Sequence, residues 1–382
     1  MIKPDIGRLS ALAFFLLLII GITFSLAGVV TKEVAATFAV DTYVIGYIFS
    51  LFTIGYSLAI LGNGFVLERI NIKTELLAAI GATALAILGA TLTKSVAVFG
   101  ASIFLYGLAL GILLSVAYFL IVNMYDETKR AAKVSLLNFF FSVGSIVAPI
   151  AAGMVLQAGI RWQMIYEVQL AFLLLAAIGT SVLSFDVKPR AVPEESGNDR
   201  WGAGVYITAL ALFCYVLSEM IFGYWVVVYM MERLALEVAL ASSTLSVFWV
   251  FMGTGRLLSG LFIARIRLLH FIRMCSLVAC AAFVALLSTG NPTWAISLVA
   301  VMGLGYSGLY AAILSYGTLQ APQPSSHLTT FFLTVGSVGG ILAFLLSSYM
   351  KQHYDVVTTM ALAALLMGMV TVLTAVAKIR RS

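Results

Sequence analysis

The chain is poor in the residues that carry most enzymatic and metal chemistry. Its 382 residues include three cysteines, three histidines and seven prolines, and only 10% of them are charged. Cys214, Cys275 and Cys280 lie in apolar segments without metal-type spacing, so we interpret them as small hydrophobic residues rather than zinc ligands or a disulfide framework. No nucleophile with a matching base is evident. We therefore expect neither enzymatic activity nor a metal or other cofactor.

The shortage of charge accompanies an excess of apolar residues. Hydrophobic residues make up 62% of the chain, whereas a soluble domain is about half apolar and about a quarter charged. Crossing about 30 Å of hydrocarbon takes roughly 20 apolar residues, and only a helix satisfies its own backbone there. We predict an all-α membrane protein with twelve transmembrane helices, at residues 9–31, 44–67, 74–93, 96–124, 133–157, 164–185, 203–231, 240–265, 271–289, 293–320, 326–350 and 355–378.

The basic residues are distributed asymmetrically about these helices. The formal net charge of +6 would suit a nucleic-acid partner, but sixteen of the 22 Lys and Arg residues fall at the termini and in alternate short loops. That distribution is the signature of membrane orientation. We therefore expect no nucleic-acid partner and a multi-pass protein of the cell (inner or plasma) membrane, with both termini in the cytoplasm.

The two halves of the chain repeat each other. The stretch "NFFFSVGSI" at 138–146 matches "TFFLTVGSV" at 330–338 in five of nine positions, and "GFVLERINIK" at 64–73 is echoed by "GLFIARIRLL" at 260–269. A charged, proline-containing stretch separates the halves. We predict an N-terminal six-helix bundle at 1–185, a cytoplasmic linker at 186–202 and a C-terminal six-helix bundle at 203–382. Parallel six-helix repeats are a transporter architecture.

The segment "GFVLERINIK" resembles the loop motif G-x-L-A-D-R-x-G-R-K of the major facilitator superfamily (MFS) of secondary transporters. Gly64, Arg69 and Lys73 occupy motif positions, and Glu68 replaces the aspartate. Within that superfamily, "FTIGYSL", "FFSVGSIVAP" and "CYVLSEMIFGYW" resemble the fucose–proton symporter family, and the overall run is most similar to its TsgA-like branch. The resemblance covers nearly the whole chain and implies the MFS fold.

The chain departs from fucose-type members at functional positions. Those members carry an Asn-Asp pair in helix one and a Glu in helix four, where this sequence has Ala27, Gly28 and Ser115. These departures count against sugar specificity and against the family's usual proton site. Glu219, by contrast, falls where related members often have Glu or Gln in helix seven.

Glu219 stands in the middle of a long apolar run. A carboxylate near the bilayer centre costs about 3 kcal/mol on insertion scales and normally faces the bundle interior or a water-filled cavity. We expect Glu219 to bind the coupling proton, a cationic substrate, or both in turn, with Tyr215 and Gly223 on the same helix face. The alternative is a structural carboxylate paired with Arg256.

Arg256 and Glu219 are predicted to lie at different depths. Arg256 is about nine residues, or roughly 13 Å, from the cytoplasmic end of helix eight, and Glu219 is about 16 residues, or roughly 24 Å, from that end of helix seven. This difference argues against a direct pair, and we expect Arg256 to meet carbonyls or acids near the inner mouth. A gate and a structural role both fit Arg256.

Charged residues after helix two are candidates for an inner gate. They would latch onto neighbouring loops, where Asp126 and Glu127 are candidate partners, whereas the second half has Ala264 in place of the acid. The alternative is a solvated basic turn that obeys the positive-inside rule. The predicted gate residues are Gly64, Glu68, Arg69, Lys73, Arg256 and Arg265.

Polar side chains in six helices are candidate substrate contacts. Asn138 and Ser142 share a helix face, as do Tyr306 and Tyr310. The alternative for each is interhelical hydrogen bonding or core packing. The candidates are Thr23, Ser115, Tyr118, Asn138, Ser142, Tyr215, Tyr306, Tyr310 and Thr334.

We interpret the sequence as a secondary active transporter that moves a small-molecule substrate by alternating access, coupled to protons, as a monomer in the lipid bilayer. The direction stays open, because "GSIVAPIAAG" resembles an exporter motif whereas the fucose-type likeness favours uptake. The alternatives are proton-linked efflux of a small toxic or drug-like compound, and a non-transporting polytopic membrane protein of the same fold.

Overall fold

The computed structural model describes residues 5–67, 69–187, 201–263, 266–320 and 326–376. Within these ranges the chain forms α-helices and no strand. The helices are α1 (Ile6–Phe38), α2 (Thr42–Leu67), α3 (Ile72–Leu92), α4 (Val96–Met124), α5 (Glu127–Gln157), α6 (Gln163–Val182), α7 (Ala203–Arg233), α8 (Val238–Ile263), α9 (Leu268–Ser288), α10 (Pro292–Tyr306), α11 (Leu309–Thr318), α12 (Ser326–His353) and α13 (Val356–Val376).

Twelve spans in the described residues are long and apolar enough to cross a membrane, and α10 and α11 together form one of them. The prediction of an all-α protein with twelve transmembrane helices is confirmed. Most of the predicted linker at 186–202 lies outside the described residues.

Several helices begin after a short polar connection, in which a side chain caps the first turn of the helix. The Asn71 side chain accepts a hydrogen bond from the Lys73 amide at 2.9 Å at the start of α3. Asp355 accepts one from the Thr358 amide at 2.7 Å at the start of α13. Side-chain and backbone hydrogen bonds from Thr358 hold the pKa of Asp355 below its ordinary value. Such caps satisfy amides that have no partner inside the helix.

The chain divides into two compact units, Met1–Val192 and Pro193–Ser382. In the N-terminal unit α1 packs on α5, α2 on α4, and α3 on both α4 and α6. In the C-terminal unit α7 packs on α12, α8 on α10, and α9 on both α10 and α13. Each of these pairs in one unit corresponds to a pair in the other, so the two units repeat one packing scheme.

Glycine permits a very close crossing of α1 and α5 in the N-terminal unit. A Cβ atom on Gly144 would lie 2.8 Å from the Ile22 nitrogen and closer still to the Leu18 oxygen. Gly336 is the residue that the repeat aligns with Gly144, and a Cβ atom there would have its nearest neighbour, the Tyr310 hydroxyl, at 3.6 Å. The same sequence motif therefore supports a tight crossing in one unit and a looser one in the other.

The tenth span is broken. α10 ends at Tyr306 and α11 begins at Leu309, and Gly308 between them has a φ of 61°, in the left-handed region that glycine adopts readily. The tenth span was predicted at 293–320 and is Pro292–Thr318, but the helix within it is interrupted at Gly308, which the apolar run alone did not reveal. The break leaves the Tyr306 carbonyl available to a side chain of α7. Irregular backbone at membrane depth is tolerated where protein groups satisfy it in this way.

Candidate functional site

Glu219 lies on α7 within the C-terminal unit and is 8% exposed. Its Oε1 atom is 4.0 Å from Nη2 of Arg256 on α8, whose side chain is 39% exposed. The expectation that different depths keep these side chains apart is wrong, because the long arginine side chain extends well beyond its own backbone position. The pair joins a buried acid to a more exposed base.

A set of ordered hydroxyl groups surrounds this pair. The Tyr215 hydroxyl donates to the Tyr306 carbonyl at 3.1 Å, at the break between α10 and α11. Ser218 donates to the Ala363 carbonyl at 2.6 Å, so the Tyr306 hydroxyl is the donor in its 2.6 Å contact with Ser218. The Tyr215 hydroxyl also lies next to the Glu219 carboxyl, whose other polar neighbour is Arg256. The Tyr215 hydroxyl therefore has two acceptors within reach, the Tyr306 carbonyl and the Glu219 carboxylate, and its oxygen can accept from Glu219 only when that carboxyl is protonated.

That arrangement accommodates both protonation states of Glu219. A carboxylate can accept from the Tyr215 hydroxyl, and the Arg256 guanidinium stabilises it as well. A protonated carboxyl can donate to the Tyr215 oxygen while the hydroxyl donates to the Tyr306 carbonyl. The site therefore offers a hydrogen-bond partner to either protonation state of the acid.

The other candidates of the C-terminal unit lie at different distances from this site. The Tyr215 and Tyr306 rings have centroids 5.8 Å apart, and the Tyr215 and Tyr310 rings 6.3 Å apart. Tyr310 is half-buried, whereas Tyr215 and Tyr306 are buried. Thr334 donates to the Thr330 carbonyl of its own helix at 2.9 Å. The structure thus groups Glu219 with the three tyrosines around the helix break.

The candidate substrate contacts of the N-terminal unit fall into two separate groups. The Tyr118 hydroxyl donates to Asn138 Oδ1 at 2.9 Å, and Ser142 donates to the Asn138 carbonyl at 3.1 Å. Ser115 donates within α4, to the Gly111 carbonyl at 2.9 Å. Tyr118, Asn138 and Ser142 therefore form one polar strip on α4 and α5.

Thr23 belongs to a separate, buried cluster. Its hydroxyl donates to Gln169 Oε1 at 2.9 Å and lies 2.8 Å from the Tyr106 hydroxyl, which also donates to Gln169 Oε1 at 2.8 Å. Sequence reasoning missed Tyr106 and Gln169, because their partners lie on other helices and leave no mark in the spacing along one helix. The cluster joins α1, α4 and α6. Its hydrogen bonds indicate that Thr23 serves helix packing.

The predicted gate residues are only partly described. Glu68 and Arg265 lie outside the described residues, and the described part of the motif includes Gly64 and Arg69, which are exposed. Asp126, one of the two suggested partners, accepts a hydrogen bond from the Lys129 amide at 3.1 Å and so caps α5.

Lys73 binds the end of α6. Its Nζ atom donates to the Ser181 carbonyl and, at 3.2 Å, to the Leu183 carbonyl. In the C-terminal unit Arg273 makes the corresponding contact with the end of α13, where Nη2 donates to the Thr374 carbonyl at 2.8 Å. A cation at a helix C-terminus satisfies orphan carbonyls and interacts favourably with the helix dipole.

The contact of Lys73 with α6 predicts a loss of stability on substitution. We expect Lys73→Met to lower the free energy of unfolding by about 1 kcal/mol, because the last carbonyls of α6 lose a cationic donor. Lys73→Arg is the matched control and should retain most of that stability. Thermal unfolding of the purified variants in detergent, followed by circular dichroism, measures the difference. Unchanged unfolding of Lys73→Met would contradict the capping role.

Comparisons with known proteins agree on one family. The family model described as Major Facilitator Superfamily matches residues 13–344. A TsgA homologue of Yersinia pseudotuberculosis serotype O:1b is 26% identical over 363 residues, which cover 93% of this chain and 91% of that protein.

Solved structures share the fold at lower sequence identity. A crystal structure of a variant of the nucleoside transporter NupG has a TM-score of 0.75 at 16% identity, covering 97% of this chain and 98% of that one. A crystal structure of the E. coli fucose:proton symporter FucP has a TM-score of 0.61 at 17% identity, covering 96% of this chain and 98% of that one. At these identities the likeness establishes the fold and not the substrate.

Proposed function

Because the chain belongs to the Major Facilitator Superfamily, whose members are transporters rather than enzymes, we propose that it couples movement of a small solute to protons through Glu219. The observation that carries this proposal is the buried Glu219 carboxyl between Arg256, at 4.0 Å, and the Tyr215 hydroxyl. An intramembrane acid with two alternative partners suits a site that gains and loses a proton.

The proposed coupling alternates between two states of this site. When Glu219 is ionised, Arg256 neutralises it. When Glu219 takes up a proton, the carboxyl donates to the Tyr215 oxygen and no longer holds the Arg256 guanidinium in an ion pair. The guanidinium is then available to hydrogen-bond acceptors on the solute, for which its planar donor geometry is suited. Proton uptake and solute binding thus favour each other.

We propose the polar strip of Tyr118, Asn138 and Ser142 and the half-buried Tyr310 as further solute contacts. Thr334 stays in the proposed set, whereas Thr23 is the weakest member because its hydroxyl is already used within the bundle. The related structures bind a nucleoside or fucose according to their names, which makes solutes of that size the first to test. Ala27, Gly28 and Ser115, where fucose-type members carry acidic and amide groups, count against fucose itself.

We further propose the segment from Gly64 to Lys73 as part of an inner gate, together with its counterpart around Arg265. The match of this segment to the MFS loop motif supports the proposal. The proposal includes a monomer in the inner or plasma membrane. Both termini are proposed to lie in the cytoplasm, which rests on the alternating distribution of Lys and Arg.

Reconstituted protein tests the coupling. The purified chain is placed in liposomes with a pH-sensitive dye inside, and sugars, nucleosides, amino acids and organic ions are added in turn. We expect one solute class to drive a proton flux in the wild-type protein and no flux above background in Glu219→Gln. Because glutamine resembles the protonated acid, the variant should still exchange labelled for unlabelled solute.

Glu167→Gln is the matched control for the loss of one carboxylate. Glu167 forms an ion pair with Arg161 at 2.8 Å, with the arginine side chain 62% exposed, and such pairs contribute little. This control should keep the wild-type proton flux. Normal solute-driven proton flux in Glu219→Gln would refute the role of Glu219, and flux of protons against the solute would favour efflux by exchange.

A further inference from the structure

A second buried carboxyl group lies in the N-terminal unit, whereas the pair of Glu219 and Arg256 belongs to the C-terminal unit. Glu75 is in the first turn of α3 and is 5% exposed, and Asn63 is one turn before the end of α2 and is 2% exposed. The side-chain amide of Asn63 lies next to the Glu75 carboxyl. Nevertheless both carboxyl oxygens of Glu75, and both Oδ1 and Nδ2 of Asn63, lack a hydrogen bond of ordinary geometry. Four buried polar atoms of two neighbouring residues are thus unsatisfied together.

No cation balances Glu75 among the described residues. Lys73, two residues earlier, directs its Nζ atom to the carbonyls of Ser181 and Leu183. α3 packs on α4 and α6. α2 and α4 contain no charged residue, and the one charged residue of α6 is Glu167, in its first two turns and paired with Arg161. The tyrosines of these helices add no positive charge.

An ionised Glu75 would therefore be a buried charge without a cation, stabilised only by the N-terminal dipole of α3 and by Asn63, and proteins avoid such charges by pairing or by neutralisation. A carboxylate could accept one hydrogen bond from Asn63 Nδ2, but Asn63 Oδ1 would stay unsatisfied. A protonated carboxyl removes this problem. Its hydroxyl donates to Asn63 Oδ1 while its carbonyl oxygen accepts from Asn63 Nδ2, so that a cyclic pair uses all four atoms. The two side chains are already neighbours.

We propose that Glu75 and Asn63 form a second proton-binding site, in which the neutral carboxyl of Glu75 is held by the Asn63 amide. The site does not depend on the proposed role of Glu219, since the two acids lie in different units. The chain then carries one proton-binding carboxyl in each six-helix unit. A sodium ion is the competing ligand, because two carboxyl oxygens and an amide oxygen also suit a hard cation, but these three oxygens are fewer than the about six that such cations usually take.

Infrared spectroscopy of the lipid-reconstituted full chain tests this site directly, because a protonated carboxyl has a carbonyl stretching band that a carboxylate lacks. We expect the wild-type protein to show this band at neutral pH in sodium-free buffer, and Glu75→Gln to lose the intensity of one carboxyl. Glu167→Gln, which removes a carboxylate paired with Arg161, is the matched control and should leave the band unchanged. Glutamine at position 75 can form the same two hydrogen bonds, and a single symmetric peak in size-exclusion chromatography verifies folding.

Two further measurements identify the partner and the ligand. Asn63→Leu should keep the intensity of the Glu75 band but shift it to higher frequency, because the carbonyl loses its hydrogen-bond donor. Addition of sodium chloride at constant pH should leave the wild-type band unchanged. A band that sodium abolishes would overturn the proton site in favour of a sodium site. A spectrum that Glu75→Gln does not change would overturn the proposal altogether, whatever the transport assay shows for Glu219.

Discussion

Arg256→Met is expected to destabilise the protein strongly at alkaline pH and only weakly at acid pH. The substitution removes the cation 4.0 Å from a carboxylate that is 8% exposed. Breaking a buried pair by removing one partner costs about 3–5 kcal/mol, because the remaining charge is uncompensated. Since Arg256 is itself 39% exposed, solvent already screens the pair, and we expect about 3 kcal/mol, the lower end of that range.

The pH dependence follows from the protonation of Glu219. The Arg256 cation contributes stability only while Glu219 is ionised, and this contribution is lost as the pH falls and the carboxyl takes up a proton. The cost of Arg256→Met should therefore shrink at acid pH, where a neutral Glu219 needs no cation. Thermal unfolding in detergent at alkaline and acid pH gives both values for each variant.

A double-mutant cycle separates charge from packing. The variant with both Glu219→Gln and Arg256→Met leaves no buried charge, so we expect its stability within about 1 kcal/mol of wild type, because replacing both partners is often nearly neutral. Arg256 also contacts Met252, with Nη2 at 3.6 Å from the sulfur. Equal destabilisation of the single and the double variant, at both pH values, would mean that Arg256 acts through such packing and not through Glu219.

The positions of the helices were predictable because lipid imposes a minimum apolar length. The fourth span was predicted at 96–124 and is Val96–Met124, and the seventh was predicted at 203–231 and is Ala203–Arg233. The first was predicted at 9–31, but α1 runs from Ile6 to Phe38. Its last turns contain Lys32 and Glu33, and a search for uncharged segments stops at such residues although the helix continues.

The partners of polar side chains were much harder to predict. Glu75 was not predicted as a site residue because it stands near the predicted start of helix three, beside Lys73, where charged residues are common. Its burial depends on α2 and the other neighbours of α3, which a single segment does not reveal. The contact of Arg256 with Glu219 was likewise misjudged, since distances along two helix axes ignore the reach of a long side chain. Such features depend on which helices are neighbours.

Gly144→Ala is expected to destabilise the N-terminal unit strongly. The added methyl group would meet the Leu18 oxygen, the Ile22 nitrogen at 2.8 Å and the Gly21 carbonyl carbon at 3.2 Å. All three are backbone atoms of α1, so no side-chain rotation relieves the contact and the helices must separate. Ser145 donates to the Gly21 carbonyl at 3.1 Å at this crossing, and that bond would be lost as well. We expect a loss of about 3 kcal/mol or more, the upper end of overpacking costs.

Gly336→Ala is the matched control, because the internal repeat places Gly336 at the equivalent position of the C-terminal unit. A methyl group there would have its nearest neighbours at 3.6, 3.8 and 3.9 Å, all side-chain atoms of Tyr310 and Val216. These are ordinary packing distances, so stability should change by less than about 1 kcal/mol. The yield of monodisperse protein and its unfolding temperature measure both variants. Equal losses would show that the two crossings are equally tight, whereas the expected contrast means that α7 and α12 have room to shift that α1 and α5 lack.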